Sequence, residues 1–232
     1  MAIHRPPAPQ YLDYLDGRAD ALLGDLSGLP AKIYVSRSDY VHKGSYAGER
    51  YFEPLLEAEG YHILKPEKLP LLEQLRHYKA ADIILFSEGS AVHTAELLGS
   101  MKADVALIQR RQAALDVMMS VLSPRTRAAK SFDACHVLPT IVAAPVGGPG
   151  TGSALALIDA PALVQFLRSE GFAKLEGFDM AEFYKQEATD VARHLLNAPI
   201  RNALDHGTLG QQFAEFKYAI KKHHNPWLKE LI

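Results

Sequence analysis

Apolar positions fall at Leu12, Leu15, Ala19, Leu22, Leu23 and Leu26, the spacing of one helical face, and predict a helix over residues 11–26 after a proline-rich start. Ser27-Gly28-Leu29-Pro30 stops it. From residue 32 the pattern changes. Short runs rich in Ile, Val, Leu and Tyr predict strands at 32–36, 61–64, 82–86 and 104–108. Between them, helical spacing predicts helices at 49–59, 69–78, 91–98 and 112–122, with Gly60 and Gly99 as stops. Residues 37–48 read as a polar loop with two glycines. Further strands are expected at 136–138, 140–143 and 153–158, and helices at 161–169, 180–196 and 209–223.

Strands alternating with helices of this length define βαβ units. The fold class expected is α/β: a doubly wound, mainly parallel Rossmann-like sheet with a C-terminal helical extension. Residues 1–30 read as a lead-in and helix, 31–160 as the Rossmann-like domain, and 161–232 as a helical extension packed on it. Ligands in such sheets bind beyond the carboxyl ends of the strands, where strand order switches. The loops after Ser36 and Phe86 both leave carboxyl ends, so Arg37 and the turn Ser87-Glu88-Gly89-Ser90 fall on one edge.

Composition narrows the partners. A formal net charge of −2 argues against nucleic-acid binding through bulk charge. One cysteine, Cys135, excludes an internal disulfide, argues against a cysteine metal site, and reads as a small buried hydrophobe. The start lacks the apolar core of a signal peptide, and no apolar run reaches bilayer-spanning length, so a cytoplasmic location is expected.

The chemistry concentrates at the 87–93 turn. Small residues between a strand and a helix let backbone approach a ligand, and the N–H groups of Gly89, Ser90 and Ala91 with the helix N-terminus suit an anion. Ser90 is the expected N-cap. His93 is expected in the first helical turn, facing the same opening. Glu88 has two readings: it accepts hydrogen bonds from sugar hydroxyls, or it pairs with Arg37 or Arg50. Arg37 and Arg50 suit a diphosphate, since guanidinium matches phosphate oxygens bidentately; for Arg50 the alternative is a surface ion pair with Glu49 or Glu53. Arg110, at a strand end, is a further diphosphate candidate, whereas Arg125, Arg127 and Lys130 read as a solvated basic face. The glycine-rich run 147–153 lacks the Gly-Lys-Ser/Thr end of a P-loop and reads as a hairpin or loop. His223-His224 carry no acidic ligand at helical spacing, and Asp179, Glu182 and Glu187 read as a solvated helix face.

Taken in order, Ile33-Tyr34-Val35-Ser36-Arg37, Glu49-Arg50, Gly60-Tyr61, Lys65-Pro66-Glu67-Lys68-Leu69, Glu73-Gln74, Ala80-Ala81-Asp82-Ile83-Ile84 and Glu88-Gly89-Ser90-Ala91 resemble glycosyltransferase family 61 over about residues 31–99. The resemblance implies a GT-B arrangement whose C-terminal, donor-binding half corresponds to this segment. It implies inverting sugar transfer from a nucleotide-sugar donor to a glycan or polysaccharide acceptor. Arg37, Arg50, Gly89 and Ser90 would then surround the diphosphate, without metal or other cofactor, and His93 or Glu88 would orient the sugar or act as base. Tyr51-Phe52-Glu53 departs from the Asn-Glu pair that often follows the second arginine. Only about 30 residues precede the first strand, so the acceptor-binding N-terminal domain is expected to be absent, and a second copy or a partner subunit would supply it. The alternative is a non-catalytic module that binds a nucleotide-sugar.

Overall fold

A computed structural model of the chain describes residues 6–111, 114–139, 154–201 and 206–231. The strand expected at 140–143 and the glycine-rich run 147–153 lie outside them.

Five parallel strands form the central sheet: β1 (Lys32–Val35), β2 (His62–Leu64), β3 (Ile83–Ser87), β4 (Asp104–Ile108) and β5 (Ala128–Phe132), in spatial order β2-β1-β3-β4-β5. The register runs Tyr34↔Ile63 and Tyr34↔Leu85 about β1, then Leu85↔Ala106 and Ala106↔Lys130 outward. β1, β3 and β4 are buried on both faces, which is why they read as continuous apolar runs.

Helices cover both faces. Val35, Ile84, Phe86, Val105 and Leu107 pack with α1 (Pro9–Leu23), α3 (Leu71–Ala80) and α4 (Leu115–Leu122). Tyr34, Leu85, Ala106 and Ile108 pack with α2 (Glu49–Ala58), α5 (Ala160–Ser169) and α6 (Met180–Arg201). This is the doubly wound α/β fold expected from the sequence. The chain runs from β1 outward to β2, then crosses back over β1 to β3 and continues to β5. That reversal puts α2 on one face and α3 and α4 on the other, and makes β1/β3 the switch point.

Three local expectations change. Residues Ser90–Leu97 form a 3-10 helix, begun by Gly89 with no side-chain cap, so Ser90 is its first residue and not an N-cap. The polar loop after β1 contains another 3-10 segment, Ser38–Lys43. β5 is a strand that the basic reading of Arg127 and Lys130 concealed. Of that basic group, Arg125 is buried, donating to the carbonyls of Leu98 and Val121, and Arg127 forks onto Asp104 at 2.7 and 2.5 Å.

A short antiparallel pair, β6 (Cys135–Val137) with β7 (Ala156–Ile158), forms a separate two-stranded sheet, and β7 is bridged through Ala156 to Tyr46 in the segment between β1 and α2. α7 (His206–Lys221) and α8 (Pro226–Glu230) complete the helical end, where Phe216, Ile220 and Leu228 pack on Val191 of α6 and Leu157 of β7.

Candidate functional site

At the β1/β3 switch point lies a cleft of about 470 Å³. One wall is the segment after β1, contributing Ser36, Arg37, Tyr40 and Lys43; Pro66 and Glu67 follow β2; Gln74 comes from α3; Ser90, Ala91 and Thr94 follow β3. Ser36-Arg37, Pro66-Glu67, Gln74 and Ser90-Ala91 therefore meet around one opening.

Arg37 is held at several points. Its N–H donates to Glu49 Oε1 at 2.7 Å, its guanidinium donates to the Gly44 carbonyl at 3.0 Å, and it lies 5.4 Å from the Tyr40 ring centroid. Lys43 Nζ lies 5.5 Å from the centroid of the same ring. Among the described residues neither cation has a carboxylate within 4 Å. Two cleft-lining cations, neither ion-paired to a carboxylate, favour an anionic occupant.

Gly89 is necessary here for space. Its backbone is extended, a conformation open to any residue, but an added Cβ would lie 2.3 Å from Arg37 Nη1. Gly89→Ala is expected to displace the Arg37 side chain from Cδ outward while costing about 1 kcal/mol of stability, because the nearest atoms all belong to that flexible side chain and none to backbone. Thermal melting compared with ligand titration checks this: stability should fall only slightly while binding weakens.

Behind the cleft the polar groups are committed to one another. Glu53 accepts from the hydroxyls of Ser36 at 2.6 Å and Ser38 at 2.7 Å and pairs with Lys65. Gln74 donates to the carbonyls of Pro66 at 2.8 Å and Leu69 at 3.0 Å, tying the loop after β2 to α3. Glu49, fully buried, accepts from Tyr34 Oη at 2.8 Å and from Ser45 Oγ. Burial first, and then the neighbouring Glu49 carboxylate, hold the Tyr34 hydroxyl well above its usual range, so it remains a donor.

The remaining candidates lie elsewhere. Arg50 pairs with Asp39 at 2.5 Å, not with Glu49 or Glu53, and does not line the cleft. The ammonium of Lys68 on the same carboxylate is the main cause that keeps Asp39 below its usual range. Glu88 is fully buried and pairs with neither Arg37 nor Arg50. It accepts from the N–H groups of Arg110 and Arg111, each at 2.9 Å, and from the Arg111 guanidinium at 2.7 Å. Arg110 is itself buried, donating to the Ala154 carbonyl at 3.2 Å, and burial lowers its pKa to about 10. His93 is on the surface with its Nδ1 2.5 Å from Glu96 Oε1, outside the cleft lining.

His223 and His224 line a second cleft of about 720 Å³ with Asp133, His136, Asp159 and Tyr184. Glu187 is not on a solvated face: it is buried under this region, accepts from Asn225 at 2.8 Å, and burial raises its pKa to about 8. Among the described residues no group of three or more His, Cys, Asp or Glu side chains is placed to hold a metal ion.

Tyr40, Lys43 and Thr94 were not marked by the sequence. Glu67 and Gln74 stood inside recognisable motifs, although nothing in those motifs assigned them to a cleft.

A parallel sheet of order 2-1-3-4-5 with a cleft at its switch point defines a Rossmann-like α/β fold. Residues 4–105 match the family model described as Glycosyltransferase 61, so this stretch is similar to that family and supports a glycosyltransferase-like reading of the protein. The match begins in the segment leading into α1, ahead of the motifs that carry the resemblance, and ends in β4. No curated protein and no solved structure matches the chain. No helix among the described residues is long and apolar enough to cross a membrane.

Proposed function

We propose that the cleft at the switch point holds the diphosphate of a nucleotide-sugar and that the protein transfers the sugar to a glycan or polysaccharide acceptor. The carrying observation is convergence: Ser36-Arg37, Pro66-Glu67, Gln74 and Ser90-Ala91, far apart in sequence, line one cleft in which Arg37 and Lys43 face no carboxylate partner. Charge grows on the diphosphate as the bond to the sugar breaks. Arg37, Lys43 and the N–H groups at Ser90 and Ala91 are the groups that would stabilise it. Glu67 supplies a carboxylate for sugar or ribose hydroxyls. Glu88, whose oxygens are occupied by Arg110 and Arg111, shapes the turn rather than moving a proton. His93 makes no donor contact in this reading. The family resemblance implies GT-B organisation, inversion and independence from metal, and the lone Cys135 accords with a reducing, cytoplasmic setting.

Thermal shifts with ADP, CDP, GDP and UDP test the reading, each with and without EDTA. At 100 times its Kd the fitting nucleotide should stabilise by about 2.7 kcal/mol, a shift of roughly 5–10 °C for a chain of this size, unchanged by EDTA. No shift with any of the four would sink the proposal. Binding without transfer or hydrolysis of the matching nucleotide-sugar would favour the non-catalytic module.

A further inference from the structure

The helical extension lies beyond residues 4–105, yet it grips the start of α2. Gly48, which begins that helix, has a left-handed backbone (φ 84°). Its N–H donates to Asp190 Oδ2 of α6 at 2.9 Å. A Cβ on Gly48 would meet Phe183 Cε2, also of α6, at 2.4 Å. Gln186 Nε2 donates to Asp190 Oδ1 at 3.0 Å and fixes the carboxylate. The next residue of α2, Glu49, receives the Arg37 N–H at 2.7 Å. Three adjoining contacts thus lead from α6 to the cleft.

We infer that Asp190 is a positioning residue for the cleft, acting through Gly48 and Glu49 on Arg37. The inference rests on the diphosphate reading above. Packing alone gives little reason for a carboxylate at this position. Asp190 is almost fully buried, its nearest cation is Arg193 Nη1 at 3.8 Å, and an apolar residue would avoid the desolvation cost. An ionised carboxylate, however, holds an N–H more firmly than a neutral acceptor.

The same burial makes the contact sensitive to pH. Desolvation raises the pKa of Asp190 to about 6. The charged and titratable groups around it are Glu49 on α2, Glu187, Arg193 and His194 on α6, His42 and Lys43 on the 3-10 segment packed against α6, and His223 beside Glu187. His223, lowered to about 4 chiefly by burial, stays neutral from pH 5 to 8. Ionisation of Asp190 through pH 6 should therefore tighten the hold on Gly48.

Calorimetric titration of wild type, Asp190→Asn and Asp190→Ala with ADP, CDP, GDP and UDP between pH 5 and 8 tests this. At pH 8, Asp190→Asn should bind the fitting nucleotide about fivefold more weakly and Asp190→Ala about twentyfold. The ratio of wild-type to Asp190→Asn affinity should fall to about one at pH 5, because protonated Asp190 resembles Asn; the ligand's own ionisation cancels in that ratio. Charge removal without a positioning role would tighten anion binding. Equal or tighter binding by Asp190→Asn at pH 8, or a ratio flat with pH, overturns the inference. If the wild type itself binds none of the four nucleotides, the diphosphate reading fails and this inference falls with it.

Discussion

Arg37→Ala is expected to weaken nucleoside diphosphate binding about 100-fold while the protein stays folded. The guanidinium is placed to make two charge-assisted hydrogen bonds, each worth about 1.5–3 kcal/mol, so a net loss of about 3 kcal/mol follows. Within the protein the same side chain contributes only its bond to the Gly44 carbonyl and its contact with Tyr40, together about 1 kcal/mol. Arg37→Lys should recover part of the affinity, leaving a loss of about tenfold, because an ammonium replaces the charge but not the fork. Arg50→Ala should cost less than about threefold, since that guanidinium is half exposed and paired with Asp39. Titration at two salt concentrations adds a check: the wild-type advantage over Arg37→Ala should shrink as salt rises. Equal losses for Arg37→Ala and Arg50→Ala would move the diphosphate away from the switch-point cleft.

That contrast between two arginines marks how far the sequence could be read. Arg37 was legible because it follows a strand whose apolar run left no doubt about its end; β1, β3 and β4 are buried on both faces and announce themselves. Ser90 and Ala91 were legible for the same reason. β5 was not. Ala-Ala-Lys-Ser-Phe has no β-branched residue, and pairing with β4 makes it a strand at the sheet edge. The 3-10 geometry after β1 brings Tyr40 and Lys43 to the cleft from a stretch with no apolar period to read. Glu88 shows another limit: its partners Arg110 and Arg111 belong to the next strand end, so short-range spacing pointed to the wrong arginines. Glu187 looked like a helix-surface carboxylate, but the packing of α6 on α2 and α8 buries it, together with Asp190, to which the sequence assigned no role.

The second large effect concerns folding. Glu49→Ala should lower stability by about 4 kcal/mol and the melting temperature by about 10 °C. Glu49 sits in the first turn of α2, where the helix dipole favours a carboxylate, and it is fully buried. Its oxygens gather Tyr34 Oη and the Arg37 N–H from the end of β1 and the turn after it, and Ser45 Oγ from just before α2. Removing them leaves buried donors unmet, at about 1–3 kcal/mol each before relaxation. Tyr34→Phe removes one donor and parts the 2.7 Å contact with the Tyr46 hydroxyl, so its cost should be nearer 1 kcal/mol. In a double-mutant cycle the two changes should be strongly non-additive, because each acts on the other's partner. Glu49→Gln keeps an acceptor for Tyr34 and Arg37 and should lose less than half as much as Glu49→Ala. Urea and thermal denaturation of the wild type, the three single variants and the double variant decide the matter. A Glu49→Ala protein melting within 2 °C of wild type would mean that this carboxylate neither stabilises α2 nor fixes the backbone that presents Arg37, since both depend on the same buried oxygens.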